Sequence, residues 1–127
     1  MASAEILAAA KDYIARGWHV FPVHGIANEE CTCGKTSCPD SAKHPVTHDG
    51  LKSATTDLAQ IESWFGPTTP LYNIGIVAGK KSGLTIVDID VGSNKMGAET
   101  WAALIEESGE PDTLMVKTGG NGLHVYF

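Results

Sequence analysis

Two carboxylates stand two residues apart at the end of an apolar run, "SGLTIVDIDVGS", residues 82–93. Counted by alternation, Thr85, Val87, Ile89 and Val91 fall on one side, and Leu84, Ile86, Asp88 and Asp90 on the other. An extended chain places side chains i and i+2 on the same face, roughly 6.5–7 Å apart at Cα. Carboxylates so placed can share divalent cations, and Mg²⁺ in particular takes one or two of them and keeps positions open for substrate phosphates. Two such ions about 3.5–4 Å apart clamp the attacking and leaving oxygens of a phosphoryl transfer. Without a cation the two acids would repel, and one would hold its proton. Asp88 and Asp90 therefore read as metal ligands, against the plainer alternative that both end a strand in solvent.

Further along lies "VKTGGNGLHVYF", residues 116–127. Three glycines in four residues, Gly119, Gly120 and Gly122, let backbone amides come close to a ligand. Lys117 and Thr118 enter the turn, and Asn121 lies within it. His124 leaves it with Tyr126 on the same side, while Leu123, Val125 and Phe127 take the core side. A lysine, an asparagine, bare amides and a histidine around one turn suit a triphosphate. The alternative is an ordinary hairpin with a satisfied histidine.

The third constellation is "CTCGKTSCPDSAKHP", residues 31–45. Cys31, Cys33, Cys38 and His44 are a complete tetrahedral donor set for structural Zn²⁺. The stretch is too polar to bury much apolar surface, so a metal would supply its ordering energy. His48 is an alternative to His44, and Asp40 is a further donor. Free thiols or a redox pair are the competing readings. Lys35 and Lys43 can meet a phosphate or simply stand in solvent.

These groups need elements to position them. Residues 3–16 read as a helix with a stripe of Ile6, Ala10, Tyr13 and Ile14, capped by Ser3 and stopped by Gly17. Residues 18–23 read as a strand, and 24–54 as irregular. A second helix opens at Thr55 or Thr56 and buries Leu58, Ile61 and Trp64 or Phe65. Residues 73–79 and 84–91 are strands. A third helix spans about 97–108 and buries Trp101, Leu104 and Ile105. Residues 113–118 and 123–127 are strands joined by "GGNG", a hairpin signal. The sum is a mixed α/β (α+β) fold with antiparallel pairings.

The chain has 127 residues and a net charge of −6. That length suits one domain, and that charge argues against a broad basic face for duplex DNA. No apolar run is long enough to span a membrane, and no signal peptide opens the chain. A cytoplasmic location is expected. Three cysteines within a short stretch then point to metal rather than disulfides.

Taken in order, "GWHVFPV", "KHPVTHDGLKSATTDLAQIESWF", "NIGIVAGKKSGLTIVDIDV" and "KTGGNGLHVYF" closely resemble the bifunctional primase–polymerase domains of the archaeo-eukaryotic primase superfamily, of phage, plasmid and prophage replication proteins. The resemblance implies an α/β module with an RRM-like sheet carrying the acids. It implies that Asp88 and Asp90 bind Mg²⁺ or Mn²⁺, that His124 contacts the incoming nucleotide's phosphates, and that Lys117, Thr118, Asn121 and Gly122 surround it. The cysteine loop ending in "KHP" would hold zinc as an insertion over 28–48. The implied reaction is attack by a 3′-hydroxyl on a nucleotide α-phosphate, with single-stranded DNA as template or primer and a helicase domain as a partner in a longer chain. A third motif, an acid on a later strand, has no counterpart, since Glu110 and Asp112 precede the hairpin. A C-terminally truncated domain is therefore expected. The rival readings are a zinc-containing nucleotide- or DNA-binding module without turnover, and a metal-dependent phosphohydrolase or nuclease.

Overall fold

The computed structural model describes residues 3–67 and 69–127, and the chain divides after Gly83 into two compact units. Unit 1 contains α1 (Ser3–Ala15), β1 (Val20–Val23), β2 (Ile26–Ala27), β3 (Glu30–Cys31), a 3-10 turn (Gly50–Ser53), α2 (Leu58–Phe65) and β4 (Asn73–Ile76). Unit 2 contains β5 (Ile86–Ile89), α3 (Gly97–Ser108), β6 (Met115–Lys117) and β7 (Leu123–Tyr126). The fold is mixed α/β, and all the strand pairings are antiparallel. No helix among the described residues is long and apolar enough to cross a membrane.

In unit 1, β1 and β4 pair from Val20↔Ile76 to Val23↔Asn73. Ile6 and Ala10, one turn apart on α1, meet Val20, Ile61 and Phe65 in a buried core, with Tyr13, Ile14 and Trp64 packed around it. The stripe expected on α1 is the one buried, and Gly17 follows the helix in the left-handed conformation (φ 85°). The cap expected from Ser3 concerns a side chain outside the described ones. Helix α2 begins later than expected. Thr55 exchanges both backbone hydrogen bonds with Val20, at 2.9 and 3.1 Å, which keeps it extended. Asp57 becomes the cap, its carboxylate accepting the Ala59 amide at 3.3 Å. Leu58, expected in the core, sits in that first turn and is half exposed.

The stretch 24–54 is mostly irregular, but it holds a hairpin. β2 and β3 are joined by Asn28 (φ 52°) and Glu29 (φ 65°), the pair of left-handed residues of a type I′ turn. Glu at the second position lacks the glycine by which such turns are recognised in a sequence.

In unit 2, β7 lies between β5 and β6. The GGNG turn joins β6 to β7 as expected. Helix α3 has the expected limits, but none of its residues is buried, and Leu104 is half exposed. Trp101 and Leu104 instead line an open apolar groove of about 220 Å³ with Val87.

Candidate functional site

The cysteine loop is built on the end of β1. The His24 amide donates to the His44 carbonyl at 2.9 Å, and Val46 N–H donates to the Pro22 carbonyl at 3.0 Å. His44 is thereby laid along the strand, while the β2–β3 hairpin presents Cys31. The ligand atoms of Cys31, Cys33, Cys38 and His44 all lie within 4.8 Å of one another. Nε2 of His44 is 3.7 Å from Cys31 Sγ and 3.6 Å from Cys38 Sγ. A tetrahedral ion bound at ordinary Zn–S and Zn–N lengths requires an S···N edge of about 3.5–3.6 Å. The four residues can therefore hold a metal ion such as zinc with little movement. His48 and Asp40, the alternative donors, are exposed and stay outside the group.

Backbone amides prepare the sulfurs. Ala42 N–H donates to Cys31 Sγ and Lys35 N–H to Cys33 Sγ, each at 3.5 Å. The Ala42 amide, then that of Cys33, holds the Cys31 thiol down to about 6, while burial pushes the Cys38 thiol up. Burial, followed by the neighbouring His44, lowers His24.

Four residues outside those constellations have definite partners. The Asn73 amide donates to the carbonyls of His24 (3.3 Å) and Ala42 (3.4 Å). The His24 ring lies tilted by 40° against that of His44, with ring centroids 4.5 Å apart. Ser82, buried, accepts the His19 N–H at 2.9 Å and is structural. Lys81, one of two lysines in the turn before the acidic strand, is engaged by the Ala54 carbonyl at 3.2 Å.

In unit 2, Asp88 stands directly opposite His124 in the β5–β7 register. Thr85 and Phe127 exchange both backbone bonds, at 3.0 and 2.7 Å. Alternation then makes Asp88–His124 a non-hydrogen-bonded pair, the kind whose side chains approach most closely. Nε2 of His124 is 3.4 Å from Asp88 Oδ1. That is beyond a strong hydrogen bond, so neither group is locked by the other. Asp90 lies one residue past β5, is exposed, and its carboxylate has no partner among the described residues. Asp88, Asp90 and His124 do not gather as tightly as the cysteine cluster. Exposed oxygen donors at one strand end, in a unit with seven acidic residues and only Lys95 and Lys117 as lysines or arginines, fit a hard divalent cation.

The sequence reading missed Gly97. A Cβ on it would meet the Asp90 carbonyl oxygen and lie 2.8 Å from Asp90 N, so the start of α3 rests directly on the acidic backbone. A glycine opening an apolar-striped helix just after two acids is the signal that could have found it. Gly97→Ala is expected to cost about 1–3 kcal/mol and to displace Asp90, measured as a lowered denaturant midpoint with weakened Mn²⁺ binding.

The glycine turn is closed by Thr118. Its N–H donates to the Gly122 carbonyl at 3.0 Å, its carbonyl accepts from Asn121 N–H at 3.1 Å, and its hydroxyl accepts from Gly122 N–H at 2.9 Å. Asn121 is left-handed (φ 65°). Gly122 is required by packing, since a Cβ would lie 2.7 Å from the Ile89 carbonyl oxygen. Gly119 and Gly120 face open space, and their amides have no partner among the described residues. Lys117 pairs with Leu123 and so falls on the face opposite His124. Val125 takes the core side as expected, but Phe127 is half exposed and Tyr126 is buried.

The model of the family "Bifunctional DNA primase/polymerase, N-terminal" matches residues 10–127. No curated protein and no solved structure matches the chain.

Proposed function

Because the chain belongs to the family of bifunctional DNA primase/polymerase N-terminal domains, we propose that the end of β5 and the β6–β7 turn form a nucleotidyl-transfer site. The observation that carries this reading is the Asp88–His124 pair, face to face across β5 and β7 at 3.4 Å, with Asp90 exposed beyond it.

In this reading Asp88 and Asp90 hold Mg²⁺ or Mn²⁺ through their carboxylate oxygens. A bound divalent ion supplies neutralisation of the phosphates and polarisation of the reacting phosphorus–oxygen bonds. The free amides of Gly119 and Gly120 receive phosphate oxygens, as backbone nests do. Thr118, Asn121 and Gly122 fix the turn that presents those amides. His124 donates to the phosphates from Nε2, and Lys117 contributes charge from the other face of β6. A 3′-hydroxyl of a primer on single-stranded DNA, or of a first nucleotide, gives up its proton to solvent and forms the new bond to the α-phosphate. The α–β bridge breaks and pyrophosphate leaves. The protein's share is placement and charge complementarity. Cys31, Cys33, Cys38 and His44 hold zinc, which orders the loop.

Primer extension on a single-stranded template, with nucleoside triphosphates and Mn²⁺ or Mg²⁺, tests the proposal. Incorporation is the expected result. Nucleotide binding without incorporation would favour a binding module. Degradation of the DNA without incorporation would favour a nuclease.

A further inference from the structure

We infer that Asn73 and His24 are positioning residues of the metal centre, fixing the spacing of its ligands from the β1–β4 sheet. The inference rests on the proposed metal at Cys31, Cys33, Cys38 and His44.

The need arises from the loop itself. Between Ile26 and Asp49, Cys31 is the only buried residue, so side-chain packing does not set the ligand positions. Hydrogen bonds from the sheet do. Asn73 is the first residue of β4, opposite Val23. Its amide holds the Ala42 carbonyl at 3.4 Å, and the amide of that same Ala42 donates to Cys31 Sγ at 3.5 Å. Ala42 is left-handed (φ 59°), a conformation that is unfavourable for a residue with a Cβ and that an outside hydrogen bond helps to hold. Asn73 therefore acts on the thiolate through one residue that would otherwise relax.

The second amide hydrogen of Asn73 holds the His24 carbonyl at 3.3 Å. His24 reaches the other ligands. Its N–H holds the His44 carbonyl, its ring lies against the His44 ring, and it also makes a T-shaped contact with Tyr72, ring centroids 5.8 Å apart. Nδ1 of His24 is 2.8 Å from the hydroxyl of Thr32, the residue between Cys31 and Cys33. That hydroxyl also accepts the Gly25 amide at 3.1 Å, which fixes its place beside Nδ1. Both arms of the donor set, the cysteine hairpin and the histidine, are thus tied to one asparagine and one imidazole that ligate nothing. Outer partners of this kind typically govern metal affinity by 10–100-fold.

Cobalt titration of the whole chain tests this, with zinc competition and the thiolate-to-cobalt and ligand-field bands as readouts. Asn73→Asp keeps the side-chain shape and removes both donors. His24→Phe keeps a ring beside His44 and removes Nδ1. Ser82→Ala breaks a hydrogen bond of the same unit away from the loop and controls for general loss of stability. Circular dichroism confirms that each variant is folded. The first two variants are expected to bind about 10–100-fold more weakly with shifted ligand-field bands, and Ser82→Ala to leave both unchanged. Parent-like affinity and bands in both Asn73→Asp and His24→Phe would overturn the inference while leaving the metal centre intact. So would an equal loss in Ser82→Ala. A parent chain that gives no thiolate–cobalt band would remove the metal centre and the inference together.

Discussion

Asp88→Asn is expected to lower nucleotide incorporation by about 10²–10³-fold, the scale of losing one preorganised charge-stabilising group, with almost no change in thermal midpoint. The two halves of that expectation have different causes. Asparagine keeps the shape and one oxygen of the aspartate but not its charge, so it cannot neutralise a cation. Mn²⁺ affinity, read by electron paramagnetic resonance, should fall with activity. Stability is another matter. The Asp88 carboxylate is 58% exposed, and its 3.4 Å contact with His124 is a surface pair. Such pairs are worth about 0–1 kcal/mol. Unit 2 is also strongly acidic, so removing one negative charge relieves some repulsion. His124→Ala should act mainly on the nucleotide KM, because its ring is free to meet phosphate and is not an obligatory ion ligand. Parent-like extension by Asp88→Asn would remove the strand end from the chemistry. A collapse of the thermal midpoint would show that the residue is structural.

Features that depend on neighbouring residues were legible before the fold was known. The glycine turn between β6 and β7, the limits of α3 and the apolar stripe of α1 follow from local periodicity and turn chemistry. The four metal donors could be picked out because donor type and spacing are local too. What was not legible depends on distant partners. Asn73 acts on residues 49 and 31 positions earlier in the chain, and nothing in its own neighbourhood announces that. The stripe of α3 suggested burial, yet how far a stripe is covered depends on what packs over it, and β5 is the strand it meets. Tyr126 is buried although strict alternation grouped it with His124, because a shared face is not uniformly open. The start of α2 moved because a long-range pairing of Thr55 with Val20 overrode a local capping preference.

Metal removal should have the largest structural effect, and it should be local. The core of unit 1 is made by Ile6, Ala10, Val20, Ile61 and Phe65, all on or beside α1, β1 and α2 and none in the loop. The loop contributes one buried residue, Cys31, and that residue is itself one of the four clustered donors. A bound structural zinc supplies about 10–16 kcal/mol in small metal-folded peptides, and nothing else in the loop replaces a term of that size. Chelation is therefore expected to raise amide exchange over residues 31–46 by orders of magnitude, while β1, β4 and the two helices keep most of their protection. Cys31→Ser should reproduce the effect without a chelator, which separates this centre from the cations proposed at Asp88 and Asp90. Lys35→Ala should not reproduce it, because Lys35 enters the centre through its backbone amide. Unchanged loop protection after chelation would mean that hydrogen bonds from Asn73 and His24 alone order the loop. Loss of protection throughout unit 1 would mean that the pairings of His24 with His44 and of Pro22 with Val46 make loop and sheet one cooperative unit.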